Sequence, residues 1–101
     1  MKLTDLNPTF FGAHGRGGVN QLGLGFDCPA CTAANRLDKC EWGGWIAVPF
    51  ANPMGDEPPL ANEKTLWQRT GDTFADMTLS PSVHAVGHWH GWVRNGNVET
   101  C

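Results

Sequence analysis

GHWHGWVRNGNVETC (87–101) is the stretch on which the fold turns. Asn95-Gly96 is a strong hairpin signal, because a two-residue type I′ turn needs positive φ at both central residues and Asn and Gly tolerate it. HWHGWV before the turn and VETC after it supply the two strands. A turn of this length fixes the register. Arg94 is expected to pair with Asn97, Val93 with Val98, Trp92 with Glu99, Gly91 with Thr100 and His90 with Cys101. Directly paired residues project to one face, and strand side chains alternate. His88, His90 and Cys101 therefore share a face, and Trp89 points the other way.

Working outward, VNQLGLGFDC (19–28) alternates, with Leu22, Leu24, Phe26 and Cys28 on one face, which predicts a half-buried strand. Gly23 and Gly25 between them suggest a bulge or the close approach of another backbone. WIAVPF (45–50) is a β-branched and aromatic run, with Pro49 placing it at an edge or an end. A third strand is expected over 74–79, closed by Ser80-Pro81. TAANRLDKCE (32–41) suits a short helical turn, and GAHGRGG (12–18) a loop. The Pro-rich stretch 51–66 is a loop whose far end Trp67 anchors back onto the sheet.

With 13 Gly and 7 Pro in 101 residues, many turns and short elements are required, while a hydrophobic fraction of 41% is enough for a core. The expectation is a mainly β chain: a small single-domain antiparallel sheet over 1–101, loop-rich, ending in a hairpin and stapled by zinc. Most of the five tryptophans, Trp42, Trp45, Trp67, Trp89 and Trp92, are expected to fill its thin core.

The net charge is −3 and the bases are scattered singly, which argues against nucleic acid. No apolar run approaches the ~18–20 residues of a membrane helix. The first residues lack the long apolar core of a secretory signal. Four cysteines are then better read as thiols or metal ligands than as a disulfide framework.

FDCPACT (26–32) sharpens that reading. Two thiolates spaced as Cys28-x-x-Cys31 form the knuckle of a tetrahedral zinc site, with a second ligand pair coming from elsewhere. An i, i+2 histidine pair on a strand supplies it, giving Cys28, Cys31, His88 and His90, with Cys101, Cys40 and His84 in reserve. His14, in a glycine-rich loop, is expected to be an ordinary solvated side chain. Two other readings stay open. One is a zinc hydrolase with an open metal position and Asp27 or Glu99 as base. The other is a dithiol redox protein using the CxxC. Neither HExxH nor the H-x-E of zinc deaminases occurs, so a closed structural ion is preferred and enzymatic activity is not expected.

FDCPAC, VPFANP, WQRTGDTF, LSPSV and HWHGWVRNG, in that order, resemble a family of small phage and prophage proteins often labelled "ammonia monooxygenase" in genomes. The resemblance implies a tailed-phage zinc protein with Cys28, Cys31 and His90 as ligands and His88 as the fourth. Relatives carry a cysteine three residues before the last histidine, where this chain has Gly87. The oxygenase label is set aside, because the chain has neither a membrane span nor a histidine-rich copper site. The expected function is that of a zinc-binding accessory protein that binds a host or phage protein through an acidic, Trp-bearing surface. Its expected place is the cytoplasm of the infected bacterial host, or the virion.

Overall fold

The computed structural model describes residues 1–12, 22–35, 44–53, 65–85 and 89–100, together with the backbone of 15–16. The chain is mainly β, arranged as three small antiparallel sheets. The first runs β2-β1-β3-β4, from β1 (Thr9–Gly12), β2 (Gly15–Arg16), β3 (Gly23–Asp27) and β4 (Trp45–Pro49). The second pairs β5 (Gln68–Thr70) with β6 (Thr78–Ser80). The third is β7-β8-β9, from β7 (Val83–Ala85), β8 (Trp89–Arg94) and β9 (Asn97–Thr100). A 3₁₀ turn, Leu3–Leu6, and one short helix, α1 (Pro29–Ala33), complete the described elements.

The C-terminal hairpin has the register its turn dictates, from Arg94 opposite Asn97 to Gly91 opposite Thr100. The pairing expected of His90 with Cys101 lies outside the described residues. Asn95 and Gly96 both take positive φ, 49° and 76°, as a type I′ turn demands. The turn is also a junction. The Gly96 amide donates to the Met77 carbonyl, and the Gly96 carbonyl accepts from the Leu3 amide. A Cβ at Gly96 would collide with the Ala75 carbonyl, so the close approach as well as the φ selects glycine.

β3 is buried on both faces rather than one. Leu24 and Phe26 point into the core, and the glycines between them are covered by aromatic rings. A Cβ at Gly23 would meet the Phe11 ring, and one at Gly25 the Trp45 ring. The close approach predicted for these glycines is thus made chiefly by side chains. β4 lies at the sheet edge with Pro49 as its last residue, where a missing N–H disrupts no ladder.

The third expected strand is shorter and later than 74–79. The Asp76 carboxylate accepts from both the backbone amide and the hydroxyl of Thr73, which closes a turn over 73–76 and delays β6 to Thr78. Helix α1 likewise begins at Pro29 instead of residue 32, because proline is preorganised for the first helical turn and the Cys28 sulfur caps the Cys31 amide. Residues 36–41 of the expected turn lie outside the described residues.

Leu3, Leu6, Leu24, Phe26, Val48, Phe50, Met77 and Val93 are fully enclosed. Burial of each such side chain contributes ~1.5–3 kcal/mol. Trp67 anchors as expected: a parallel bridge joins it to Phe50, with Ala51 N–H to Trp67 O at 2.7 Å and Trp67 N–H to Pro49 O at 2.9 Å. Most of the loop that these bonds close, 54–64, lies outside the described residues. Among the described residues, no helix is long and apolar enough to cross a membrane.

Candidate active site

Pairing between β7 and β8 sets Val83 opposite Gly91, His84 opposite His90 and Ala85 opposite Trp89. Val83 and Trp89 turn inward and are buried. By alternation their neighbours turn outward, so His84 and His90 meet on the exposed face, ring centroids 4.7 Å apart and planes tilted by 32°. Ser82 immediately precedes β7 and shares that face. Its Oγ lies 3.1 Å from His90 Nε2.

Two devices hold this pair. The indole Nε1 of Trp67 donates to the Ser82 carbonyl at 3.2 Å, fixing the backbone that carries the hydroxyl. On the other strand, the Trp89 ring lies across Gly91, where a Cβ would strike both that ring and the Glu99 carbonyl. Trp89 Nε1 then donates to Thr100 Oγ1 at 2.9 Å, locking β8 to β9 beneath His90.

The outward row of β8 continues as His90, Trp92 and Arg94. The His90 and Trp92 rings are 6.4 Å apart, and the Arg94 guanidinium lies 4.6 Å over the Trp92 ring. Arg94 also reaches Glu99 at 3.4 Å, with both side chains more than half exposed. β6 packs against β8 without being its hydrogen-bonded neighbour. An open cleft of about 440 Å³ lies there, with residues 78–82 on one side and Trp92 and Arg94 on the other. A hydroxyl within hydrogen-bond reach of an imidazole, at the edge of a cleft, is the arrangement of an activated nucleophile and its base.

The residues expected to bind zinc fall into different surroundings. Cys28 is a fully buried free thiol whose sulfur accepts the Cys31 amide at 3.4 Å. Cys31 is disulfide-bonded, so the two cysteines of the CxxC are not joined to each other. His90 and the reserve His84 face one another beside Ser82. His88, Cys40 and Cys101, like His14, lie outside the described residues. Of the two carboxylates considered as a hydrolytic base, Asp27 accepts from Asn7 Nδ2 at 2.8 Å and Glu99 pairs with Arg94. Among the described residues, no group of three or more His, Cys, Asp or Glu side chains converges.

Ser82 was not among the expected site residues, since SPSV was read only as the end of a strand. The signal that reveals it is the spacing Ser82-x-His84 ahead of His90-x-Trp92-x-Arg94. Two alternating polar rows coincide once the intervening chain reverses and the strands pair.

A family model for BubE, described as a bacterial ubiquitination-like system serine protease, matches residues 13–101. This match overturns the expected kinship with the phage family labelled "ammonia monooxygenase". It also overturns the expected role as a zinc-binding viral accessory protein, together with the zinc-hydrolase and dithiol-redox alternatives. In the structure His90 stands beside a serine hydroxyl, with Ser82 Oγ 3.1 Å from its Nε2. No curated protein and no solved structure matches the chain. With nearly its whole length covered by the family model, the chain belongs to the BubE family.

Proposed function

We propose that this chain is a serine peptidase with Ser82 as nucleophile and His90 as general base, cutting a peptide bond in a protein of a bacterial ubiquitination-like system. One observation carries the proposal: the 3.1 Å separation of Ser82 Oγ and His90 Nε2 on the rim of an open cleft. Membership of the serine protease family supports it.

For Oγ–H to donate to Nε2, the imidazole must be neutral with its proton on Nδ1. As Oγ attacks the scissile carbonyl carbon, its proton passes to Nε2 and the carbonyl π electrons move onto oxygen. Collapse of the tetrahedral intermediate expels the amine, which takes the proton back from the imidazolium and leaves an acyl ester on Ser82. Water, deprotonated by the same nitrogen, then releases the acid and restores the hydroxyl. General-base assistance of this kind contributes about 10²- to 10⁴-fold. His84, packed against the His90 ring, restrains its rotation by contact. Trp67 holds the serine backbone from behind.

The test uses a fluorophosphonate, whose phosphorus accepts an activated serine oxygen with loss of fluoride. One adduct per chain, mapped to Ser82 and absent in Ser82→Ala, is expected, and His90→Ala should slow its formation by at least about 100-fold. An adduct at another serine, or none in folded protein, would rule the assignment out.

A further inference from the structure

The cleft beside Ser82 carries more than a nucleophile. Of the described side chains lining it, Arg94 alone is charged, and it stands as a cationic point on a chain of net charge −3. Its guanidinium is stacked on Trp92, which holds the planar fork in place while leaving its edge free for a carboxylate. Glu99 shows that the position accepts one: its carboxylate oxygen sits 3.4 Å from Arg94 Nη1. Because both partners are more than half exposed, that pair is weak, and a second carboxylate displaces it readily.

We infer that Arg94, backed by Trp92, forms a subsite for an acidic side chain of an extended peptide substrate. The substrate class is thus a polypeptide bearing Asp or Glu at a set distance from the scissile bond. That distance follows from β8. His90 and Arg94 lie on the same face four residues apart, about 13 Å along the strand. An extended peptide lying along this row covers the same span in about four residues, so the acidic residue sits about four positions from the cut. The inference rests on the peptidase reading for the word "cut", but the capture of an acidic peptide is measurable without catalysis.

The experiment has two arms. In the first, immobilised Ser82→Ala protein is equilibrated with an equimolar synthetic library of random decapeptides, and the retained peptides are sequenced by mass spectrometry. Asp and Glu should be enriched, Arg94→Gln should abolish the enrichment, and Arg94→Lys should keep part of it. Glu99→Gln, which frees the guanidinium, should raise it by about two- to fivefold. In the second arm, wild-type protein cleaves the same library, and the acidic residue should appear about four positions from the new terminus. Each variant is first shown to melt as its parent does.

Equal enrichment with and without the Arg94 charge, or no acidic enrichment at all, overturns the subsite. Acidic capture with cuts at unrelated spacing overturns the extended alignment along β8. A Ser82 that no fluorophosphonate labels sinks the peptidase reading instead, and the capture result stands apart from it.

Discussion

CPAC at 28–31 and the meeting of Ser82 with His90 each bring reactive groups within reach of a hydrogen bond, yet the two places have opposite fates. At CPAC the Cys28 thiol is sealed from solvent and its sulfur serves as the N-cap of a five-residue helix. At the other site the hydroxyl and imidazole stand on an outward strand face, beside an open cleft. The first is written in four consecutive residues. The second depends on two strands finding each other, and nothing in either strand alone announces it. Spacing along the chain thus identifies groups that are close, while access to solvent and substrate decides which of them react.

The sharpest way to break this comparison is to exchange the roles. Ser82→Ala and His90→Ala should each lower peptide hydrolysis by at least about 100-fold while the thermal midpoint stays near that of the parent. Cys28→Ser should do the reverse: a hydroxyl in a fully buried apolar site costs about 1–3 kcal/mol of stability, with turnover per folded molecule unchanged. Loss of turnover in a folded Cys28→Ser protein would make the cysteine end part of the site.

Gly96→Ala probes the scaffold under both regions. The positive φ and the collision with Ala75 together predict a loss of about 2–4 kcal/mol, read from the urea midpoint. Trp67→Phe is milder and sharpens the active-site side. It removes the indole donor to the Ser82 carbonyl and trims a ring packed against the core, for about 1–3 kcal/mol of stability. Fluorophosphonate labelling should slow by about 3- to 10-fold, because the nucleophile is less firmly placed.

The smallest effect is a pH dependence away from both sites. Thr73 donates its hydroxyl and then its amide to Asp76, holding that carboxyl below its ordinary value of 3.8. A folded-state value below the unfolded one adds stability that is present above 3.8 and is lost as pH falls through the lowered value. Asp76→Asn should therefore lower the neutral plateau of a urea-midpoint profile slightly, flatten its acid limb and meet the parent at low pH. An identical acid limb in the variant would show that the turn over 73–76 does not depend on the carboxylate charge.

The hairpin was legible because its contacts are local: the two turn residues set its register, and the four pairings from Arg94–Asn97 to Gly91–Thr100 are found. The anchoring by Trp67 and the terminal position of Pro49 were legible for similar reasons, since one large aromatic and one missing amide constrain their surroundings strongly. The double burial of β3 was not, because the rings that cover Gly23 and Gly25 arrive from Phe11 and Trp45 on other strands. The displaced start of β6 turned on a side-chain capture by Asp76 that outweighed the alternating pattern of 74–79. The proposed active site was the least legible part. Its serine is ordinary in sequence, and its histidine fitted a metal knuckle as well as it fits a base. The cross-strand placement of His84 against His90, with Ser82 one step beyond, is the observation that supports the proposed base.

The junction at the Asn95-Gly96 turn has a consequence for how the molecule comes into being. Lys2 bridges to Asn97, the Leu3 amide donates to Gly96 and the Val98 amide donates to the Met1 carbonyl. The Met1–Val98 contact joins residues 97 positions apart, so its closure carries a loop-entropy cost and depends on the strands between them being assembled. A purified chain truncated before Asn95 is expected to leave Ser82 unreactive toward the fluorophosphonate, with reactivity present only when the turn and β9 are in place.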